Sequence, residues 1–295
     1  MSVDSFLFVL SGGIVLGALY ALMASGLAVV WTTLGIFNFS HGAFIALGAY
    51  IGWQVSNVDA FNMGHVAGLV ITLIALAIIG IVFQQVFIRP FERKENIVAA
   101  TVITTLAGAT ILQNMLLLIW GPRAKQITPI AEGSLTIGPV SFSSNDIALI
   151  LMVAVILAFV GWFLARTRTG RSMRAVSQNR QAAELMGLNV PLLYALAFGI
   201  SAAMAGMAGY FVGSIRFINP TLGAEPLMKA LVVVIFGGIA RFTSPIYAAI
   251  IVGLVESFAT FYLGLYWAPA VLFAMMMIVL TLKPSGLFGQ HQRTL

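Results

Sequence analysis

No aspartate, glutamate, lysine or arginine occurs between residues 5 and 58 of this chain. Soluble domains do not run that far without charge, because about a quarter of their residues are Asp, Glu, Lys or Arg. So long an uncharged run is at home in hydrocarbon, where the backbone must satisfy its own hydrogen bonds and only helices or closed barrels qualify. A transmembrane barrel needs segments of about ten residues that alternate in polarity. The apolar stretches here are longer and do not alternate. The sequence therefore predicts an all-α, polytopic transmembrane helical bundle.

Charged residues are 8% of the 295, and they fall in short breaks between apolar runs. Those breaks predict spans over about 6–33, 41–55, 65–88, 97–120, 146–165 and 192–215. Shorter segments follow over 227–239, 245–263 and 269–282, so the bundle has about 8–10 membrane segments, some short or broken. No polar stretch is long enough for a soluble domain, and residues 1–295 read as one transmembrane domain. Asp4 precedes the first apolar run and no basic n-region stands before it, so that run reads as a retained helix. The 121–145 stretch, with Pro122, Pro129, Gly133, Gly138 and Pro139, reads as a loop.

Net charge is +6, but the basic residues sit in short connections and act as orientation signals, not as a nucleic-acid surface. Arg89, Arg93, Lys94, Arg166, Arg168, Arg171, Arg174, Arg180, Lys283 and Arg293 fall on one side. Arg123, Lys125, Arg216 and Lys229 fall on the other, ten against four with Arg241 left out. This predicts an outside N-terminus and a cytoplasmic C-terminus.

Enzyme chemistry finds little support. There are no cysteines, hence no disulfide, thiolate nucleophile or cysteine-ligated metal. His41, His65 and His291 are too far apart for a metal-ligand pattern, and no metal site is expected. No paired carboxylates, no G-x-S-x-G elbow and no phosphate-binding G-x-x-x-x-G-K-[ST] loop occur, so no catalytic residue is assigned. If ATP powers this protein, another subunit binds it.

Three Gly-x-x-x-Gly spacings, Gly13–Gly17, Gly48–Gly52 and Gly209–Gly213, put pairs of glycines on one helix face, where a neighbouring helix can come close. In a chain with 29 glycines such spacings also arise by chance. A short internal echo links Ile36-Phe-Asn38 with Phe217-Ile-Asn219, each after a Gly/Ala-rich span.

Two regions could carry function. Residues 5–36 as one helix would measure about 48 Å, against hydrocarbon about 30 Å thick, so the helix either tilts and protrudes or ends near Gly35. Asn38 or Ser40 can then cap a helix starting near His41. Such a break is either a capped turn at the membrane surface or an exposed helix N-terminus able to receive an anionic group. Asn38, Ser40 and His41 are accordingly candidates to line a substrate path. So is Glu256, the only acid in the last two segments, which alternatively pairs with a base or reaches the outer surface. The second region is the basic block 166–191. It predicts a helix over 177–186 stopped by Gly187, with Ala175, Ala182, Ala183, Leu185 and Met186 as small or apolar surface among charges. It either docks another protein or fixes topology and touches anionic lipid.

Several stretches resemble the LivH-type permease family of branched-chain amino acid ABC importers. They are Gly26-Leu-Ala-Val-Val-Trp31, Gly35-Ile-Phe-Asn-Phe-Ser-His-Gly-Ala-Phe44 and Leu47-Gly-Ala-Tyr50; the 170–190 block; Ala197-Phe-Gly-Ile-Ser-Ala-Ala-Met-Ala-Gly-Met-Ala-Gly209; and Lys283-Pro-Ser-Gly-Leu-Phe-Gly289. The resemblance implies a transport subunit of the bacterial inner membrane that holds no cofactor itself. Its expected partners are a second, LivM-like permease, two cytoplasmic ATPase subunits that bind ATP, an external substrate-binding protein and membrane lipid. It further implies that 166–191 is a cytoplasmic coupling loop, with Arg171, Arg174, Asn179, Ala182, Ala183, Glu184 and Gly187 at the ATPase. Two departures bear on the substrate. Ser40 stands where the family commonly has alanine, and Arg241 and Pro245 replace smaller residues after Gly237-Gly238. Branched-chain amino acids are the expected cargo. Urea or short amides on the same scaffold, or a self-sufficient channel or secondary transporter, are the alternatives.

Overall fold

The computed structural model describes residues 3–92, 96–137, 140–238 and 242–289. Arg93, Lys94, Gly138, Pro139, Arg241, His291 and Arg293, all used in the sequence reading, lie outside the described residues. The chain forms α1 (Val3–Leu34), α2 (His41–Ser56) and α3 (Gly64–Phe83), which continues through a π-helical turn, Gln84–Ile88, and a 3-10 turn, Arg89–Phe91. Then come α4 (Ile97–Trp120), the antiparallel hairpin β1 (Ser134–Ile137) and β2 (Val140–Ser143), and α5 (Ser144–Arg166). Two short helices follow, α6 (Arg168–Gln178) and α7 (Arg180–Leu185). The rest is α8 (Val190–Ile215), α9 (Ala224–Gly237), α10 (Ser244–Leu263) and α11 (Ala268–Leu282). Among the described residues, 6 helices are long and apolar enough to cross a membrane. The remaining predicted segments correspond to the shorter α2, α9 and α11. The chain is a multi-pass helical membrane protein.

Three expectations need correction. The predicted 177–186 helix is divided between α6 and α7, with Asn179 extended between them (φ −156, ψ 106). The 121–145 loop contains the β1–β2 hairpin. Lys229, counted with the loops, lies inside α9.

Residues group into two compact units. One comprises 29–128 and 159–227. Its interior is α2, α3 and α8. α2 and α8 are buried on almost every side, which suits their lack of a polar face. Small residues allow this: a methyl group on Gly48 would overlap the Gly206 backbone, one on Gly209 the Ile45 carbonyl, and one on Gly80 would stand 2.6 Å from the Phe198 carbonyl. Gly52 accommodates the Tyr210 ring, and Gly213 sits close to Ile127 and Ile218.

The other unit comprises 1–28, 129–158 and 228–295. Here α1 runs antiparallel to α10, with Gly13 against Leu254, Gly17 against Ile250, and Gly253 against the Gly17 backbone. The Ser257 hydroxyl donates to the Val9 carbonyl at 2.6 Å. The family-like tail 283–289 has a clear structural use. α9 ends at Gly237, followed by Gly238 in the left-handed region (φ +89). The Leu287 and Phe288 amides donate to the Phe236 and Gly237 carbonyls at 2.8 and 3.1 Å. The tail thereby satisfies carbonyls that a helix C-terminus leaves without partners.

Candidate functional site

The α1–α2 junction is a built feature. α1 stops where Gly35, at φ +72, donates its amide to the Trp31 carbonyl at 2.8 Å, a left-handed stop that a Cβ would strain. The Asn38 side-chain oxygen accepts the Ser40 amide at 3.0 Å. Ser40 holds the N-cap position, but its hydroxyl makes no cap bond and donates instead to the Thr105 carbonyl at 2.5 Å. The Thr105 hydroxyl accepts the Phe39 amide at 3.3 Å. His41 Nδ1 lies 3.3 Å from the Ser201 hydroxyl. Asn38, Ser40 and His41 are all fully buried, so the break is lined by protein, as its freed backbone groups require. Among the described residues, the Asn38 side-chain amide nitrogen and the Thr101 hydroxyl are buried without a hydrogen-bond partner.

The internal echo noted in the sequence is longer than its three residues. Asn38-Phe-Ser-His-Gly42 and Asn219-Pro-Thr-Leu-Gly223 share the pattern N-x-[ST]-x-G. Asn219 accepts the Thr221 amide at 3.1 Å, as Asn38 does for Ser40; α2 begins within the first pattern, at His41, and α9 just after the second, at Ala224. Gly42 and Gly223 touch: a methyl group on Gly42 would stand 2.5 Å from the Gly223 carbonyl. Sequence reasoning passed over Thr221 and Gly223, although the repeated pattern was there to be read.

Glu256 lies apart from that junction in sequence and in structural unit. Its two oxygens are both engaged. Lys229 Nζ is 2.6 Å from one, and the Tyr20 hydroxyl donates to the other at 2.7 Å. The Lys229 and Glu256 side chains are 12% and 5% exposed. Lys229 Nζ also lies 5.7 Å from the Tyr20 ring centroid, within cation–π range. Tyr20 and Lys229 were not singled out from sequence. Their spacing from Glu256 along the chain carries no local signal.

The 166–191 loop is organised by its own polar residues. The Thr167 hydroxyl accepts the Gly170 amide at 3.0 Å and starts α6; the Asn179 side chain accepts the Ala182 amide at 3.0 Å and starts α7. Gly187 (φ +80) ends the pair. Arg174 folds back onto the Leu164 and Ala165 carbonyls at the end of α5. Ala183 is buried, whereas Arg171, Arg174, Asn179, Ala182, Glu184 and Gly187 are exposed, as are Leu185 and Met186 at 88% and 81%. Arg180 anchors the loop. It pairs with Glu184 at 3.1 Å, donates to the Glu92 carbonyl at 2.9 Å and lies 5.5 Å from the Tyr194 ring centroid. Glu92 in turn accepts from Gln84 of the π-helical turn at 2.5 Å. Partial burial pulls the Arg180 guanidinium down. The hydrogen bond to Glu184 and the fields of Tyr194, Glu184 and Glu92 outweigh it and hold the group above its ordinary value.

No group of three or more His, Cys, Asp or Glu able to hold a metal occurs among the described residues. The sequence is similar to those of known proteins. The sequence pattern of the family described as branched-chain amino acid transport system / permease component matches residues 9–280. The high-affinity branched-chain amino acid transport system permease protein LivH of Escherichia coli K12 is 29% identical over 98% of this chain and 98% of its own length. BraD of Pseudomonas aeruginosa, a permease protein of the same description, is 26% identical over 96% and 95%. The autoinducer 2 import system permease protein LsrC of Escherichia coli O9:H4 is 31% identical over 47% of this chain and 40% of its own.

Proposed function

The chain belongs to the family of branched-chain amino acid transport system permease components, and from that premise we propose that it is the membrane permease of an ABC importer moving aliphatic amino acids into the cytoplasm. In this reading an external binding protein delivers the substrate. A second, LivM-like permease completes the path. Two ATPase subunits, which bind the ATP that this chain has no phosphate loop to hold, power alternation between outward and inward states. The N-terminus is outside, the C-terminus cytoplasmic, and Asn38, Ser40, His41 and Glu256 belong to the polar part of the path.

The observation that carries the reading is the 168–185 helical pair. Leu185 and Met186 are held nearly bare at its tip, and Arg180 ties the pair by direct hydrogen bonding to the α3–α4 turn at Glu92. Exposed apolar side chains on a rigid support suit docking into a partner's groove. The Arg180 link gives a displacement of the loop a route into the membrane helices.

The partial likeness to LsrC, a permease of an autoinducer 2 import system, favours a second reading in which the scaffold takes a solute other than an amino acid, with urea or a short amide as the alternative cargo. One experiment addresses both. The chain is reconstituted with its ATPases, second permease and binding protein, and uptake of leucine, urea and a short amide is followed with and without ATP. ATP-dependent leucine uptake is expected. Uptake by this chain alone without a hydrolysing partner would overturn the importer reading, and preference for urea or the amide would replace the cargo.

A further inference from the structure

The Tyr20–Lys229–Glu256 cluster is buried where α1, α9 and α10 meet. Tyr20 is about 25 Å along α1 from its start and about 21 Å from its end, and Glu256 is about 18 Å along α10. Side chains on a helix lean toward its N-terminus. Because α1 and α10 are antiparallel, Tyr20 and Glu256 lean toward each other and meet near the level of the Gly17–Gly253 contact. Glu256 is about 11 Å from the end of α10, and Lys229 is about 8 Å along α9.

A lysine and a glutamate so nearly buried are costly, and well-packed apolar side chains often stabilise as well as a buried pair does. The surroundings are made for packing: Val252, Gly253 and Ala249 are buried on α10, and Val232 and Val233 on α9. Function is the better reason for charges here. The pair sets one positive and one negative group 2.6 Å apart among aliphatic side chains, and an α-amino acid carries the same two charges, adjacent, on an aliphatic body. The two partners are held unequally. Tyr20 donates to a different oxygen of Glu256 from the one that Lys229 meets. Lys229, the more exposed of the two, is on a flexible four-carbon stem.

We propose that Lys229 and Glu256 form a charge-exchange site for the zwitterionic end of the substrate. Glu256, steadied by Tyr20, takes the α-ammonium; Lys229 swings to the α-carboxylate; the aliphatic side chain lies against the valines. One internal ion pair is replaced by two, and no charge is left unpaired in the low-dielectric interior at any stage of passage. When the substrate leaves, the pair recloses and neutralises the empty site. This inference rests on the amino-acid importer reading above and names the substrate group it recognises.

The test uses the permease co-purified with its partner subunits in nanodiscs, without the external binding protein, so that the membrane site is read alone. Three probes share one aliphatic body: leucine as zwitterion, 4-methylpentanoate as anion and leucinamide as cation. The wild-type assembly should prefer leucine over each of the others by about tenfold or more, the worth of one charge-assisted contact. E256Q should lose leucine binding and shift its preference to 4-methylpentanoate, whose carboxylate pairs with Lys229. K229M should shift to leucinamide, which answers the stranded Glu256. Where a single variant fails to assemble, K229M/E256Q removes both charges together and should lose the preference for leucine over its neutral analogue 4-methylpentanamide. Equal binding of the three probes by the wild type overturns the proposal, as does a parallel loss of all of them in the variants, which would mark the pair as a structural clamp. A wild-type assembly that binds urea or a short amide but no amino acid overturns the cargo reading as well. Leucine binding with unchanged preference in the variants overturns only this inference.

Discussion

Gly42 and Gly223 meet backbone to backbone at the starts of α2 and α9, each too close to the other's carbonyl for a side chain to fit between. The carbonyl and Cα atoms in contact belong to two turns of the same design, each closed by an asparagine that accepts the amide two residues on. Close approach of main chains needs glycine because a methyl group has nowhere to go when its neighbour is backbone and cannot rotate away. Gly42→Ala and Gly223→Ala are each expected to cost about 1–3 kcal/mol, the usual cost of overpacking, read as a lower midpoint of thermal unfolding in detergent. Gly12 is the control. Its nearest neighbour is the Ser257 hydroxyl at 3.4 Å, so Gly12→Ala should be neutral or stabilise by up to about 1 kcal/mol from helix propensity.

Ser40 and Asn38 should separate by role. Ser40→Ala removes one hydroxyl that donates to a carbonyl, at about 1 kcal/mol, and leaves the turn standing. Asn38→Ala removes the acceptor of the Ser40 amide and strands a buried backbone donor, so it should cost about 1–3 kcal/mol. Parallel melting curves of the two variants check this ordering; equal losses would mean that the Asn38 turn does not hold the junction.

At the loop tip, Leu185→Asp and Met186→Asp should leave the melting temperature unchanged because both side chains are exposed, yet should abolish co-purification with the ATPase subunits. Ala183→Trp is expected to do the reverse first, lowering stability, because Ala183 is buried. Retention of the ATPase by Leu185→Asp/Met186→Asp would remove the docking assignment.

Arg180→Met should keep the ATPase bound and reduce transport per ATP hydrolysed, because it cuts the link from α7 to Glu92 while sparing the tip. The guanidinium is held above its ordinary value. A cation whose folded-state value is raised contributes its full stability below the unfolded value and loses it only as pH rises past it. That loss lies above the ordinary arginine range, so the Arg180 contribution, measured as the stability difference between wild type and Arg180→Met, should be flat from about pH 5 to pH 9.

Membrane orientation can be read directly, since the chain has no cysteine. With a membrane-impermeant maleimide on intact cells, Glu132→Cys should label and Met186→Cys should label only after the membrane is opened. The opposite pattern would invert the topology.

The sequence by itself determined the long apolar helices and, within a few residues, most of their limits. Charge-free runs, the stop at Gly35, the starts near His41 and Ile97 and the stop at Gly187 are local consequences of hydration, φ freedom and capping, and each reappears within a few residues of where it was read. It also carried the family, because motifs such as Lys283-Pro-Ser-Gly-Leu-Phe-Gly289 survive as strings. The division of 177–186 at Asn179 was less legible, since an asparagine inside good helix formers reads as tolerated until its side chain is seen capping α7. Only the tertiary structure decided that Lys229 answers Glu256 with Tyr20 beside it, that Gly42 lies on Gly223, and that Ala183 turns inward while Leu185 and Met186 face out. These are choices among partners far apart in the chain. In a span that is apolar on every side no hydrophobic stripe marks which face is inside, so packing between helices makes the choice.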